Sequence, residues 1–160
     1  MDILFPGNPL LCAGLKKESA LTRPREEWRG FMSIQQFMVP NPMTAIWGKT
    51  KNGRDSMRCL ANTGPRRFLV VEFDQGSFDQ HAALLVHLGK SEPLIMVVHS
   101  ANKSLHGWFR AKKDEAQSRE FMHSAVSLGA DHPAVSESVT SKRVSNTLQG
   151  RGPGPGGGSP

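Results

Sequence analysis

Apolar and polar positions follow regular periods between residues 66 and 130 and lose them on either side. Phe68 to Asp74 (FLVVEFD) is an apolar run rich in Val and Phe, the composition of a buried strand. Ser77 and Gln80 then form a capping-box pattern, opening a helix to about Leu88. Phe78, Ala82 and Leu85 share one face of that helix, and Gly89 supplies its stop. Pro93 to His99 (PLIMVVH) and Ser104 to Arg110 (SLHGWFR) predict two further strands joined by the turn Ser100-Ala101-Asn102-Lys103. Asp114 to Leu128 predicts a second helix, with Asp114 and Glu115 at its positive end and Gly129 beyond its last turn.

The resulting order, β-α-β-β-α, predicts an α+β fold with the split pattern of ferredoxin-like and RNA-recognition-like sheets. Only Val139 to Leu148 offers a fourth strand. Residues 1–65 are rich in turn formers, and their one helix-like segment runs from Arg25 to Phe37, after Thr22 and Pro24, until Val39-Pro40-Asn41-Pro42 ends it. From Gly150 the chain is almost entirely Gly, Pro, Ser and Arg, a composition that buries too little surface to order itself. The expected organisation is an irregular N-terminal extension over 1–65, a core over 66–132 and a divergent, largely disordered tail over 133–160.

Composition adds two constraints. The 160 residues fit one domain, and a net charge of +6 favours an anionic partner such as nucleic acid or nucleotide. Basic residues gather at Lys49, Lys51, Arg54, Arg58, Arg66 and Arg67, either as a solvated surface or as phosphate contacts. Cys12 and Cys59 stand far apart with no paired spacing, so neither a disulfide framework nor a structural zinc site is expected. No basic leader and no long apolar run is present, which predicts a cytoplasmic protein without a membrane partner.

Strand parity then points to chemistry. In FLVVEFD, Leu69, Val71 and Phe73 share one face while Val70, Glu72 and Asp74 share the other. In SLHGWFR the same alternation groups Ser104, His106 and Trp108. The first and third strands of such a sheet are antiparallel neighbours. With both helices on the Leu69/Val71/Phe73 face, Glu72, Asp74, Ser104 and His106 gather on the open one. Two carboxylates so close repel unless a cation lies between them, and hard oxygen ligands suit Mg²⁺ or Mn²⁺. Such an ion activates a hydroxyl nucleophile and neutralises charge on a transferring phosphoryl group, with Lys103, Ser104 and His106 placed to hold a triphosphate.

The segment from Arg66 to Arg110 resembles the archaeo-eukaryotic primase superfamily, particularly the primase-polymerase domains of plasmid, phage and mobile-element replication proteins. Its acidic pair separated by one residue is matched by Glu72 and Asp74, with Glu where Asp is commoner, and its Ser-x-His by Ser104 and His106. The resemblance implies a third acid beyond the next helix, for which Asp131 has the right order and spacing. It also implies that these acids hold catalytic metals, that the histidine contacts nucleotide phosphates, and that the activity is template-directed nucleotide transfer. The implied partners are a DNA template, nucleoside triphosphates and a replicative helicase. An arginine-bearing strand expected after Asp131 is missing, which predicts a C-terminally truncated core.

The alternative is a noncatalytic nucleic-acid-binding module on the same sheet, reading bases through open-face aromatics such as Trp108 and through basic loops. Trp108 could equally fill a boundary within the domain. A relaxase-type endonuclease needs a nucleophilic tyrosine, and the sequence has none.

Overall fold

The computed structural model describes residues 1–99, 104–131 and 142–143. Among these residues the fold is mixed α+β, with three small antiparallel sheets and two α-helices. Strands β1 (Leu10–Gly14), β2 (Leu21–Pro24) and β3 (Phe37–Met38) form one sheet, and β4 (Gly48–Lys49) pairs with β5 (Asp55–Ser56) in a hairpin. The regular part follows: β6 (Phe68–Glu72), α1 (Phe78–Leu88), β7 (Leu94–His99), β8 (Leu105–Arg110) and α2 (Glu115–Ser127). The third sheet has the order β6-β8-β7.

Local sequence explains each of these last elements. Ser77 caps α1 by accepting from the Gln80 backbone N–H at 3.3 Å, while the Gln80 side chain accepts from Ser77 N–H at 2.8 Å, so two orphan donors are satisfied reciprocally. Asp114 caps α2 through the N–H of Ala116 at 2.9 Å. After α2, Gly129 turns the chain at φ +92°, a left-handed conformation that costs glycine little. Gly89, at the end of α1, keeps φ −60°, so that helix ends in a right-handed turn instead.

The Leu69, Val71 and Phe73 face of β6 packs with Phe109 of β8 under Leu85 and Leu88 of α1 and Phe121 and Ala125 of α2. Gly107 is required here. A Cβ on it would lie 2.5 Å from the Leu85 methyl carbon Cδ2, so its missing side chain is what lets α1 close on the sheet.

The opposite face departs from expectation. Phe68 and Trp108 are buried against Phe5, Leu11, Ala13, Trp28 and Met38 of the N-terminal region, which covers most of the face expected to be open. Phe68 bridges the two parts, 5.6 Å edge-on from Phe5 and 5.6 Å from Trp108 between ring centroids. Trp108 is only 2% exposed, so it fills a boundary within the domain and offers no platform for a base.

Two other expectations are corrected. Arg25 to Phe37 is not a helix: it holds two 3-10 turns, Arg25–Trp28 and Met32–Ile34, separated by Gly30 at φ +84°. Trp28 is buried and Met32 packs beside it, but Phe31 and Ile34 are exposed, so little apolar burial rewards a continuous helix here. Of the stretch Val139 to Leu148, only Lys142 and Arg143 are described. They form β9 (Lys142–Arg143), which pairs with β3 and not with the β6-β8-β7 sheet. The rest of that stretch, and the residues from 144 onward, lie outside the described residues. Among the described residues, no helix is long and apolar enough to cross a membrane.

Candidate metal and nucleotide site

The site forms where β6 ends. Glu72, the last residue of β6, is the cross-strand partner of His106 in β8, and the side chains of such a pair share a face. Asp74 follows two residues later on the exposed turn into α1. Asp131 comes from the segment after α2. Gly129 turns the chain after α2, the Ala130 N–H bonds the Ala125 carbonyl at 3.0 Å, and the Asp131 N–H bonds the Glu72 carbonyl at 2.9 Å. Buried Ala130 anchors this return in the apolar core.

Glu72, Asp74 and Asp131 each bring a carboxylate oxygen to within 4.8 Å of the others. Asp74 is exposed, while Glu72 and Asp131 are half-buried, so the cluster opens to solvent on one side. Burial holds the Asp131 carboxyl above its ordinary range, and the Asp74 charge beside it pushes the same way. That crowding is electrostatically unfavourable, and a divalent cation between the oxygens removes it. The donor set is all hard oxygen, which fits Mg²⁺ or Mn²⁺ better than a softer metal.

His106 forms the back wall and is 3% exposed. Its Nε2 lies 3.2 Å from Glu72 Oε1 and 3.2 Å from Ser104 Oγ. A bare Nε2 accepts from the Ser104 hydroxyl, whereas a protonated Nε2 faces the Glu72 carboxylate, so the tautomer decides which contact is made. Burial pushes the imidazole below its ordinary value, and the negative charges of Asp131 and Asp74 offset this in part. Ser104 is itself buried with its hydroxyl on His106, so it is placed to orient the ring. Lys103 and the turn Ser100-Ala101-Asn102-Lys103 lie outside the described residues.

No family model, curated protein or solved structure matches the chain.

Of the residues expected from sequence, Glu72, Asp74, Ser104, His106 and Asp131 meet in one place. His81 is a further residue that shapes the site. It is fully buried, stacks on Phe73 with ring centroids 5.8 Å apart, and places Nε2 2.9 Å from the Gln75 carbonyl. It thus pins the turn that carries Asp74. Gly76, at φ +110° directly before the capping box, was the sequence signal for a constrained turn at that point. A cavity of about 590 Å³ opens between the third sheet and the N-terminal region. It is lined in part by Trp28, Met38, Met96, Trp108 and Val98, the last being the cross-strand partner of His106.

Proposed function

We propose that this chain is the core of a metal-dependent nucleotidyltransferase of the primase-polymerase type, built on a ferredoxin-like or RNA-recognition-like sheet. The observation that carries the reading is the convergence of Glu72, Asp74 and Asp131 from two separate chain segments, with buried His106 held against Glu72. Nearby acids of one strand end are common, but a third acid tied by a backbone hydrogen bond to the end of that strand is a constructed arrangement. Mg²⁺ or Mn²⁺ would supply charge neutralisation at the transferring phosphoryl group and activation of the attacking hydroxyl.

The chain's own residues have distinct parts in this scheme. Glu72, Asp74 and Asp131 would hold the ion, His106 would orient Glu72 and meet the phosphates, and Ser104 would fix the ring. The substrates in this reading are a nucleoside triphosphate and a nucleic-acid template, in the replication of a plasmid, phage or other mobile element. A noncatalytic module reading bases on the sheet face loses its main support, because Trp108 is buried.

The test is a titration of Mn²⁺ with a nucleoside triphosphate, run on wild type and Asp74→Ala and followed by primer extension. Wild type should bind nucleotide only with metal. Asp74→Ala should lose at least the roughly 10- to 100-fold in metal affinity that even outer-shell partners carry, and should not extend a primer. Equal nucleotide affinity with and without metal in both proteins overturns the reading.

A further inference from the structure

The chain has three tryptophans, and they are treated in opposite ways. Trp28 and Trp108 are buried, whereas Trp47 is 57% exposed, with Ile46 beside it also exposed. Leaving an indole in water forgoes one of the largest apolar gains a side chain offers. A mobile loop could do this casually, but Trp47 sits on backbone that is firmly held.

The holding residue is Asn62, which is 1% exposed. Its side-chain amide donates to the carbonyls of Ala45 at 3.2 Å, Ile46 at 3.3 Å and Met57 at 3.0 Å, and its oxygen accepts from the Cys59 N–H at 2.9 Å. Both legs of the β4-β5 hairpin are therefore fastened to one buried side chain. Gly48, next to Trp47, permits this: a Cβ there would stand 2.7 Å from Cys59 Sγ and 2.9 Å from Asn62 Cβ.

The hairpin tip is equally organised. The Thr50 N–H bonds the Arg54 carbonyl at 2.9 Å, the Arg54 N–H bonds Thr50 Oγ1 at 3.1 Å, and Gly53 turns at φ +74°. Lys49, Lys51 and Arg54 are exposed along it, and Asp55 is the one acid between Ala45 and Arg58, paired with Lys49 at 2.7 Å. A rigid aromatic next to closely spaced cations is the combination that binds single-stranded nucleic acid, through base stacking and phosphate neutralisation. Because the hairpin is already ordered, binding costs little conformational entropy. An anionic membrane surface would require a broader apolar face than Trp47 and Ile46 provide.

We infer that the β4-β5 hairpin is a contact surface for single-stranded nucleic acid, with Trp47 stacking on a base and Lys49, Lys51 and Arg54 contacting the backbone phosphates. The inference rests on the hairpin and not on the metal site, although it supplies the template contact that a nucleotidyltransferase needs.

With Trp28 and Trp108 buried, the solvent-accessible tryptophan emission reports Trp47. The whole protein is titrated with oligothymidylate in the presence of a chelator, which separates this result from any metal-dependent binding. Saturable quenching is expected, with an affinity that falls as salt rises. Followed by the anisotropy of an end-labelled oligothymidylate, a readout that does not depend on Trp47, Trp47→Ala should weaken binding by about 5- to 100-fold, Trp47→Phe should recover much of that, and the double variant Lys51→Glu, Arg54→Glu should flatten the salt dependence. Absence of quenching, unchanged affinity in Trp47→Ala, or quenching by anionic phospholipid vesicles alone overturns the inference.

Discussion

The two halves of this protein are held together by different forces. From residue 66 to 131, regular strands and helices bury a continuous apolar layer, with Leu69, Val71, Phe73, Phe109 and Phe121 at its centre. From residue 1 to 65, the strands are two to five residues long and the helices are single 3-10 turns. There, single side chains take over the work of secondary structure. Asn62 fastens the β4-β5 hairpin, Asn41 Oδ1 accepts from the N–H groups of Arg67 at 2.6 Å and Phe68 at 3.1 Å, and the Trp28 indole donates to the Leu11 carbonyl at 3.0 Å. Where periodicity is absent, buried polar side chains satisfy the backbone that ladders and helices would otherwise satisfy.

The largest expected effect tests the apolar half. Phe109 is fully buried and lies 4.9 Å from the Phe121 ring. Phe109→Ala should cost about 3–5 kcal/mol in denaturant unfolding, a large share of the ordinary stability of a domain. A cost under about 1 kcal/mol would mean that the helices do not depend on this layer.

Asn62→Ala tests the irregular half with a smaller expected cost, about 2–3 kcal/mol, because it leaves the Cys59 N–H and several carbonyls without their buried partner. The consequence should be local. Amide exchange should quicken over residues 45–60 while α1 and α2 keep their protection. Uniform loss of protection would show that the two halves unfold as one and would dissolve the contrast.

That contrast also governs what the sequence made legible. β6, α1, β7, β8 and α2 fall within a residue or two of their expected bounds, since each has a period that a buried face imposes. Glu72, Asp74, Ser104 and His106 were found by the same parity. Asp131 has no periodicity to betray it; only a resemblance suggested it, and its placement depends on a backbone bond to Glu72 that no local pattern encodes. The covered sheet face was missed for a related reason. In β1, Leu11, Cys12 and Ala13 are all buried, so the strand shows no alternation to announce which face meets Trp108.

The smallest expected effect concerns charge, where the halves differ in sign. In the irregular half, hydrogen bonds from Arg29 and then Arg25 hold the Glu26 carboxyl down at about 2. Arg29 Nε lies 2.8 Å from it. Its contribution to stability is present above the ordinary carboxylate range and fades as pH falls toward about 2. In the regular half, burial and the neighbouring Asp74 raise Asp131. Its contribution in metal-free protein is full below the ordinary aspartate range and fades as pH rises through the elevated value. Glu26→Gln should therefore trim stability mainly at neutral pH and flatten the acid limb. Asp131→Asn should relieve the metal-free protein above the carboxylate range and abolish any stabilisation by Mn²⁺. Melting temperatures of the three proteins between pH 3 and pH 7, in chelator and then in Mn²⁺, separate the two limbs. Parallel curves for wild type and Asp131→Asn, with Mn²⁺ raising both equally, would remove Asp131 from the cluster and leave the two acids of the β6 end to hold an ion alone.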